Sequence, residues 1–350
     1  MGNLRKLPIV VQTNYNHFQY VAFPLCIGLA TGMKDWIDSR FVHAIGFRYF
    51  SSSKEAILNL DYSNGFHGAD LFDSELISRY DSTRIESIIE FIRTAIDNGR
   101  YIIAFLDKAT ILHLGGSPYL HDILIYGYDP TAEEILTVEF DTDRRFRAIR
   151  YRYSDFDQAF TAAQYEWRQE SSEYTNCIQL LSPPENYPGF DAEFLRDELH
   201  RYRMSDPIDP ERQYYDGVWW IDPRIAVSRA TSFYFGIDIF DLLSIYVGDL
   251  GASSRIDYRP FHFLMQHTNG LAERFKRLFI HHNVAGGELI EHLRLHAASI
   301  DRSRMRILMY SLSDRQHSFD GLEGQISVWK TTEAELIDRA FDFLYSGAAT

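Results

Sequence analysis

Apolar residues recur along this chain with two different periods. Up to about residue 182, short apolar runs are separated by turn residues, whereas beyond it apolar positions return every three or four residues. The first pattern predicts strands and short helices, the second long amphipathic helices.

In the first part, LPIVVQ (residues 7–12) predicts a short strand and TNYN a turn. A helical stretch follows, with two possible starts. If Asn16 is the cap, the helix opens near His17 and Cys26 lies more than two turns inside. If Pro24 is the first helical residue, as its fixed φ and missing N–H favour, Cys26 stands in the first turn. KDWIDSRFVHAIGFRYF continues as helix into strand, with Trp36 and Phe41 as core anchors, and SSSKEAILNLDYSNGFHGADLFDSE predicts loops and short strands. Ile85, Ile88, Ile89, Ile92 and Ile96 then predict a helix over 82–98, closed by Gly99. YIIAFLD (101–107) is apolar throughout, which predicts a strand covered on both faces.

After a loop at KATILHLGGSP comes PYLHDILIYGYDPTAEEILTVEFD, residues 118–141. Its runs ILIYGY and ILTVEF flank DPTAEE, where Pro and Asp favour a bend, so a β-hairpin is predicted. An arginine-rich strand (RRFRAIRYRY), a helix capped by Ser154 and a closing strand over 174–181 complete this part. The link SPPENYPGFD interrupts both periodicities. The expected fold class is α+β: an N-terminal α/β domain with an antiparallel sheet over 1–182, then a mainly α-helical C-terminal domain over 183–350.

With 45% hydrophobic residues the chain can bury a sizeable core, and its net charge of -14 argues against a nucleic-acid backbone as main partner. The arginines Arg144, Arg145, Arg147, Arg150 and Arg152 read as a solvated face. Two cysteines, Cys26 and Cys177, make neither a disulfide framework nor a metal set and suit a reducing cytoplasm. No apolar run approaches the roughly 18 residues of a membrane span, and the first residues lack the apolar core of a leader. A cytoplasmic protein with no membrane partner is expected. His262, His267, His281, His282, His292 and His296 lack an H-E-x-x-H arrangement, so neither a metal nor another cofactor is expected.

The candidate chemistry lies in the hairpin. His121 begins its first strand, and Glu139 or Asp141 ends the second. The fold of a hairpin brings those ends together, so an acid can orient an imidazole base. Alternation leaves open which of the two acids faces His121. Asp122 points to the other face of the strand and reads as a loop anchor.

The string HDILIYGYD, the acid-ended strand, the basic strand and the short helix SDFDQAF together resemble the C-terminal half of the papain-like cysteine peptidase and acyltransferase superfamily. The similarity spans roughly residues 5 to 180 and is nearest to the double-glycine peptidases of bacteriocin export and the butirosin biosynthesis protein H N-terminal domain family. It implies a papain-like domain with His121 as general base and acid, Glu139 or Asp141 as its partner, Cys26 as nucleophile at a helix N-terminus, and Gln19 assisting the oxyanion. Gln19 precedes Cys26 by one residue more than the family spacing. An alternative alignment sets AFPLCIGLA inside the helix and puts the family cysteine near His17 or Phe18, where this chain has none. The implied activity is an acyltransferase that forms an amide from a thioester on an acyl or peptidyl carrier protein, with an amine acceptor, in natural-product biosynthesis. A cysteine peptidase, or a catalytically degenerate papain-like binding or scaffold protein, are the alternatives. The position of the Cys26 sulfur relative to His121 separates them.

Overall fold

The protein is seen in a computed structural model, which describes residues 3–11, 15–16, 19–40, 42–49, 56–60, 72–143, 145–169, 172, 174–207, 230–249, 256–311 and 321–347. Along the chain run β1 (Arg5–Lys6), α1 (Gln19–Ala30), α2 (Lys34–Asp38), β2 (Ala44–Tyr49), β3 (Ile57–Leu60), β4 (Asp73–Ser78), α3 (Arg79–Ser82) and α4 (Ile88–Asp97). Next come β5 (Tyr101–Asp107), α5 (Lys108–Ile111), β6 (Leu120–Asp129), β7 (Glu134–Phe140), β8 (Phe146–Arg152), α6 (Tyr153–Trp167) and β9 (Asn176–Ser182). The remainder holds α7 (Ala192–Met204), β10 (Ala230–Phe235), a 3₁₀ turn (Gly236–Asp238), α8 (Ile239–Gly248), α9 (Arg259–His281), α10 (Gly287–Ser311) and α11 (Leu322–Gly347). The fold is mixed α+β, with an antiparallel sheet in the N-terminal half and helices in the C-terminal region.

The chain forms two compact units. The first holds the described residues of Met1–Met33 and Asn64–Tyr187; the second holds those of Lys34–Ser63, Pro188–Asp216 and Ala226–Thr350. The division expected after residue 182 falls after Tyr187, and the described residues among 34–60, read as part of the first domain, belong with the second unit.

In the first unit a sheet runs in the order β4-β9-β5-β6-β7-β8, antiparallel throughout. Strand β1 pairs with Gly127 and Tyr128 of β6, beyond the residues that β5 covers. It spans Arg5–Lys6 rather than the 7–12 expected, with Leu7 adding only a hydrogen bond to Tyr126. A side chain at Gly127 would stand 2.6 Å from the Arg5 carbonyl oxygen, which is why β1 can approach there. Every residue of β5 is buried, as an all-apolar strand requires. Helix α4 begins at Ser87, whose hydroxyl accepts from the Glu90 N–H, and not at 82. Helix α6 begins before Ser154, and its cap Arg152 makes no side-chain hydrogen bond, so Ser154 is not the cap.

The second unit is less uniformly helical than its periodicity predicts. A three-stranded antiparallel sheet, β10-β2-β3, joins the helices. SFYFGIDIFDLLSIYVGD, within the part expected to be mainly helical, is strand β10 up to Phe235, a 3₁₀ turn, and helix α8. Gly236 makes the break: its φ is +52°, and a Cβ there would run into the carbonyl oxygen of Tyr202. Trp36 is buried as expected, whereas Phe41 lies outside the described residues.

The core of this unit carries charge. Glu333 is fully buried, accepting from Tyr202 Oη at 2.5 Å and Thr268 Oγ1 at 2.6 Å, with His296 Nε2 3.4 Å away. His267 donates through Nε2 to the Val42 carbonyl at 2.6 Å, and His43 through Nε2 to the Asp206 carbonyl at 2.5 Å. These bonds supply what water would otherwise provide to buried polar groups.

Candidate functional site

The site is built where β5 ends and β6 begins. Asp107 closes β5 and caps α5, its carboxylate accepting from Ala109 N at 3.0 Å, Thr110 Oγ1 at 2.6 Å and Tyr119 N at 2.8 Å. One buried carboxylate thus ties the start of α5 to the start of β6 and sets the backbone on both sides of His121. Leu106 pairs with His121 and Phe105 with Asp122. The Tyr119 ring meets the His121 ring edge-on at 5.4 Å.

The acid beside His121 is Asp122. Nδ1 of His121 lies 3.0 Å from Asp122 Oδ1 and 3.3 Å from the Asp122 carbonyl oxygen. The His121 side chain keeps 32% of its surface exposed, whereas that of Asp122 keeps 6%. Burial lowers the His121 pKa, but the Asp122 hydrogen bond and charge outweigh it, and the net direction is upward from 6.5. The pairing with Glu139 or Asp141 expected from the hairpin is replaced by this nearer one. Strand alternation separates neighbouring side chains in mid-strand, but at the first residues of β6 the carboxylate turns back to the ring.

Glu139 and Asp141 have other partners. Glu139 is buried in an ion pair with Lys108, whose ammonium also donates to Tyr151 Oη at 3.3 Å. Burial pushes the Lys108 pKa down to about 8, against the upward pull of the Asp141 and Asp122 carboxylates. Asp141 accepts from Arg145 N at 2.8 Å and lies 2.7 Å from Arg147 Nε. The Arg145 N–H, with Arg147 beside it, holds the Asp141 carboxyl below its usual range despite desolvation. Arg150 pairs with Glu134 at 3.2 Å, so part of the arginine-rich strand is neutralised across the sheet.

Gln19 and Cys26 share helix α1 but only one reaches the site. Gln19 is buried and donates through Nε2 to the Asp122 carbonyl at 2.8 Å, so it holds the backbone of β6 at the His121–Asp122 pair. Cys26 stands seven residues beyond the first helical residue, and Pro24 lies inside the helix and does not open it. The helix is apolar nearly all round and buried, as a core helix is. Cys26 is fully buried, and desolvation raises its thiol pKa well above the ordinary value; Cys177 is buried and shifted the same way. The structure thus follows the alternative in which Cys26 is interior to the helix; His17 and Phe18 lie outside the described residues.

Sequence reasoning missed Lys108 and Tyr151 and set Asp122 aside. A single cation directly after YIIAFLD was the available signal for Lys108, since a charge next to a buried strand needs a buried partner. Among the described residues no group of three or more His, Cys, Asp and Glu side chains could hold a metal ion, and no helix is long and apolar enough to cross a membrane. No family model matches the chain, and no curated protein matches it.

Proposed function

We propose that the first unit is a papain-like core without a thiol nucleophile, serving as a binding or scaffold module rather than as an acyltransferase or peptidase. The observation that carries this reading is the state of the two cysteines. Papain-type chemistry needs a thiolate, which forms at a helix N-terminus or beside a cation. Cys26 is two turns inside an apolar helix and burial favours its protonated form; Cys177 is equally buried in β9. These are the only cysteines in the chain. Amide formation from a carrier-protein thioester, with an amine acceptor, would have no nucleophile to carry the acyl group.

What remains suits recognition. The partly exposed His121 ring, oriented by Asp122 and supported through Gln19, offers a hydrogen-bonding edge of adjustable charge to a ligand. The test is alkylation of the native protein by iodoacetamide at pH 7, read by intact mass, followed by exposure to an acyl-pantetheine thioester. Neither cysteine should react until the protein is unfolded, and no acyl adduct should form. Fast labelling of Cys26, slowed by His121→Ala, or a stable acyl group on Cys26, would return the acyltransferase.

A further inference from the structure

Strand β8 ends the sheet of the first unit, and among the described residues it pairs with β7 alone. The backbone hydrogen bonds beyond its ends, from Asp141 N–H to the Arg145 carbonyl and from Tyr153 N–H to the Glu133 carbonyl, also run to the β7 side. In an antiparallel ladder the backbone groups of a strand turn alternately to its two sides. About half of those in β8 therefore face away from the sheet.

Natural sheets blunt such edges with proline, a bulge or a very short strand. Strand β8 has none of these: its seven residues hold an unbroken register, from Phe146 opposite Phe140 to Arg152 opposite Glu134. Strand β4, at the other end of the sheet, is interrupted by a register shift between Ile77 and Ser78. What guards β8 is charge of one sign. Residues 145–152 carry four arginines and no acid, in a chain of net charge -14. Arg145, Arg147, Arg150 and Arg152 are all exposed. Arg147 and Arg150 meet Asp141 and Glu134, yet their side chains keep 59% and 55% of their surface open to solvent. Arg152 makes no ion pair among the described residues. Arg150 and Arg152, two apart, share one face of the strand. A second β8 laid on this edge would crowd arginines together, whereas an acidic strand would set carboxylates across from them.

We propose that β8 is a docking edge for an extended acidic segment of a partner protein, which adds as a further strand with its carboxylates over Arg150 and Arg152. Main-chain hydrogen bonds supply affinity, and the arginines select the sequence. This surface is separate from the His121 ring, and the alkylation test of the cysteines does not bear on it, so either reading can fail alone.

The experiment is fluorescence anisotropy of the full chain with a fluorescein-labelled peptide of alternating glutamate and valine. Two control peptides replace valine by proline, which keeps the charge but removes N–H donors, or glutamate by lysine, which reverses the charge. The glutamate–valine peptide should bind about tenfold or more tighter than either control. Its affinity should fall several-fold from about 50 to about 300 mM salt. Arg150→Gln with Arg152→Gln should weaken it by about threefold or more. Bound peptide should slow hydrogen exchange in Phe146–Arg152. No binding of the glutamate–valine peptide, equal binding of the proline control, or wild-type affinity in the double variant would overturn the proposal. Exchange in Phe146–Arg152 that slows as the chain alone is concentrated would also overturn it, by giving the edge to a second copy. If the double variant fails to fold by circular dichroism, Arg152→Gln alone decides, because that side chain has no ion pair to lose.

Discussion

Nδ1 of His121 and Oδ1 of Asp122, neighbours in sequence, stand 3.0 Å apart at the start of β6. Asp122 therefore acts on His121 as a fixed counter-charge, and the ring holds its proton above the ordinary pKa of 6.5 although burial and Lys108 pull the other way. A raised folded-state value means that His121 adds stability below pH 6.5 and loses it as pH rises through the folded value. Asp122→Asn should bring the His121 pKa below its wild-type value, since the hydrogen bond and charge that raise it are weakened. The check is an NMR titration of the imidazole Cε1–H, assigned by the resonance missing in His121→Gln. A His121 pKa unmoved by Asp122→Asn would show that the contact has no electrostatic weight.

Lys108 and Glu139 are expected to stand or fall together. Their side chains are 7% and 1% exposed, so removing one leaves the other as a buried charge without its ion-pair partner. Glu139→Gln should destabilise the first unit by about 3–5 kcal/mol. The double variant Lys108→Met with Glu139→Leu, which removes both charges at similar volume, should recover most of that loss. Urea midpoints of the three proteins provide the measurement. A double variant as unstable as the single one would mean that Tyr151 and the surrounding carboxylates, not the pair, govern this region.

These two contacts also show what the sequence reveals and what it hides. Helix α4 and strand β5 were legible because Ile88, Ile92 and Ile96, and the run YIIAFLD, carry their burial in local spacing. The hairpin of β6 and β7 was legible from its turn, and with it the position of His121. Its acid was not, because parity along a strand is a rule for mid-strand residues and Asp122 sits at the end. Glu139 stood beside Asp141 as an open choice of partner for His121, because its ion pair depends on Lys108, which reaches it from another element. The same limit applies to β2: its partner β10 lies far along the chain, with Phe47 opposite Phe233, and no local pattern records that pairing.

Gly236 should tolerate no side chain. Its φ of +52° is unfavourable to L residues, and an added methyl meets the backbone of Tyr202, which cannot rotate aside as a side chain can. Gly236→Ala should destabilise the second unit by about 2–4 kcal/mol, at the high end for a single methyl. Thermal unfolding followed by circular dichroism gives the value. A shift in Tm below a few degrees would mean that α7 and the 3₁₀ turn can move apart without loss.

The second unit should weaken in mild acid, because His43, His262 and His267 are held neutral. Burial lowers His43 to about 4, although its bond to the Asp206 carbonyl resists. Burial, with Arg304 nearby, also lowers His262 to about 4, and His267 is lowered by burial against the attraction of Glu333. Each takes up protons more readily unfolded than folded, so its contribution is present above pH 6.5 and is lost as pH falls towards 4. Between pH 8 and 5 the loss is about 2 kcal/mol each for His43 and His262. Glu333 causes no loss in that window: His296, the His267 charge and the Thr268 hydrogen bond overcome desolvation and depress its pKa, so its contribution is present across the window and is lost only as pH falls below the usual carboxylate range. His121 changes in the opposite sense, so the two units must be read separately. Hydrogen exchange measured by mass spectrometry does this, comparing peptides from Arg259–His281 with peptides from Ile88–Asp107 at pH 8 and 5 after correction for intrinsic rates. Protection in Arg259–His281 should fall on acidification and fall less in His43→Gln, which keeps a donor for the Asp206 carbonyl but cannot be protonated. Equal loss in that variant would remove His43 as a source of the acid sensitivity and leave it to His262 and His267.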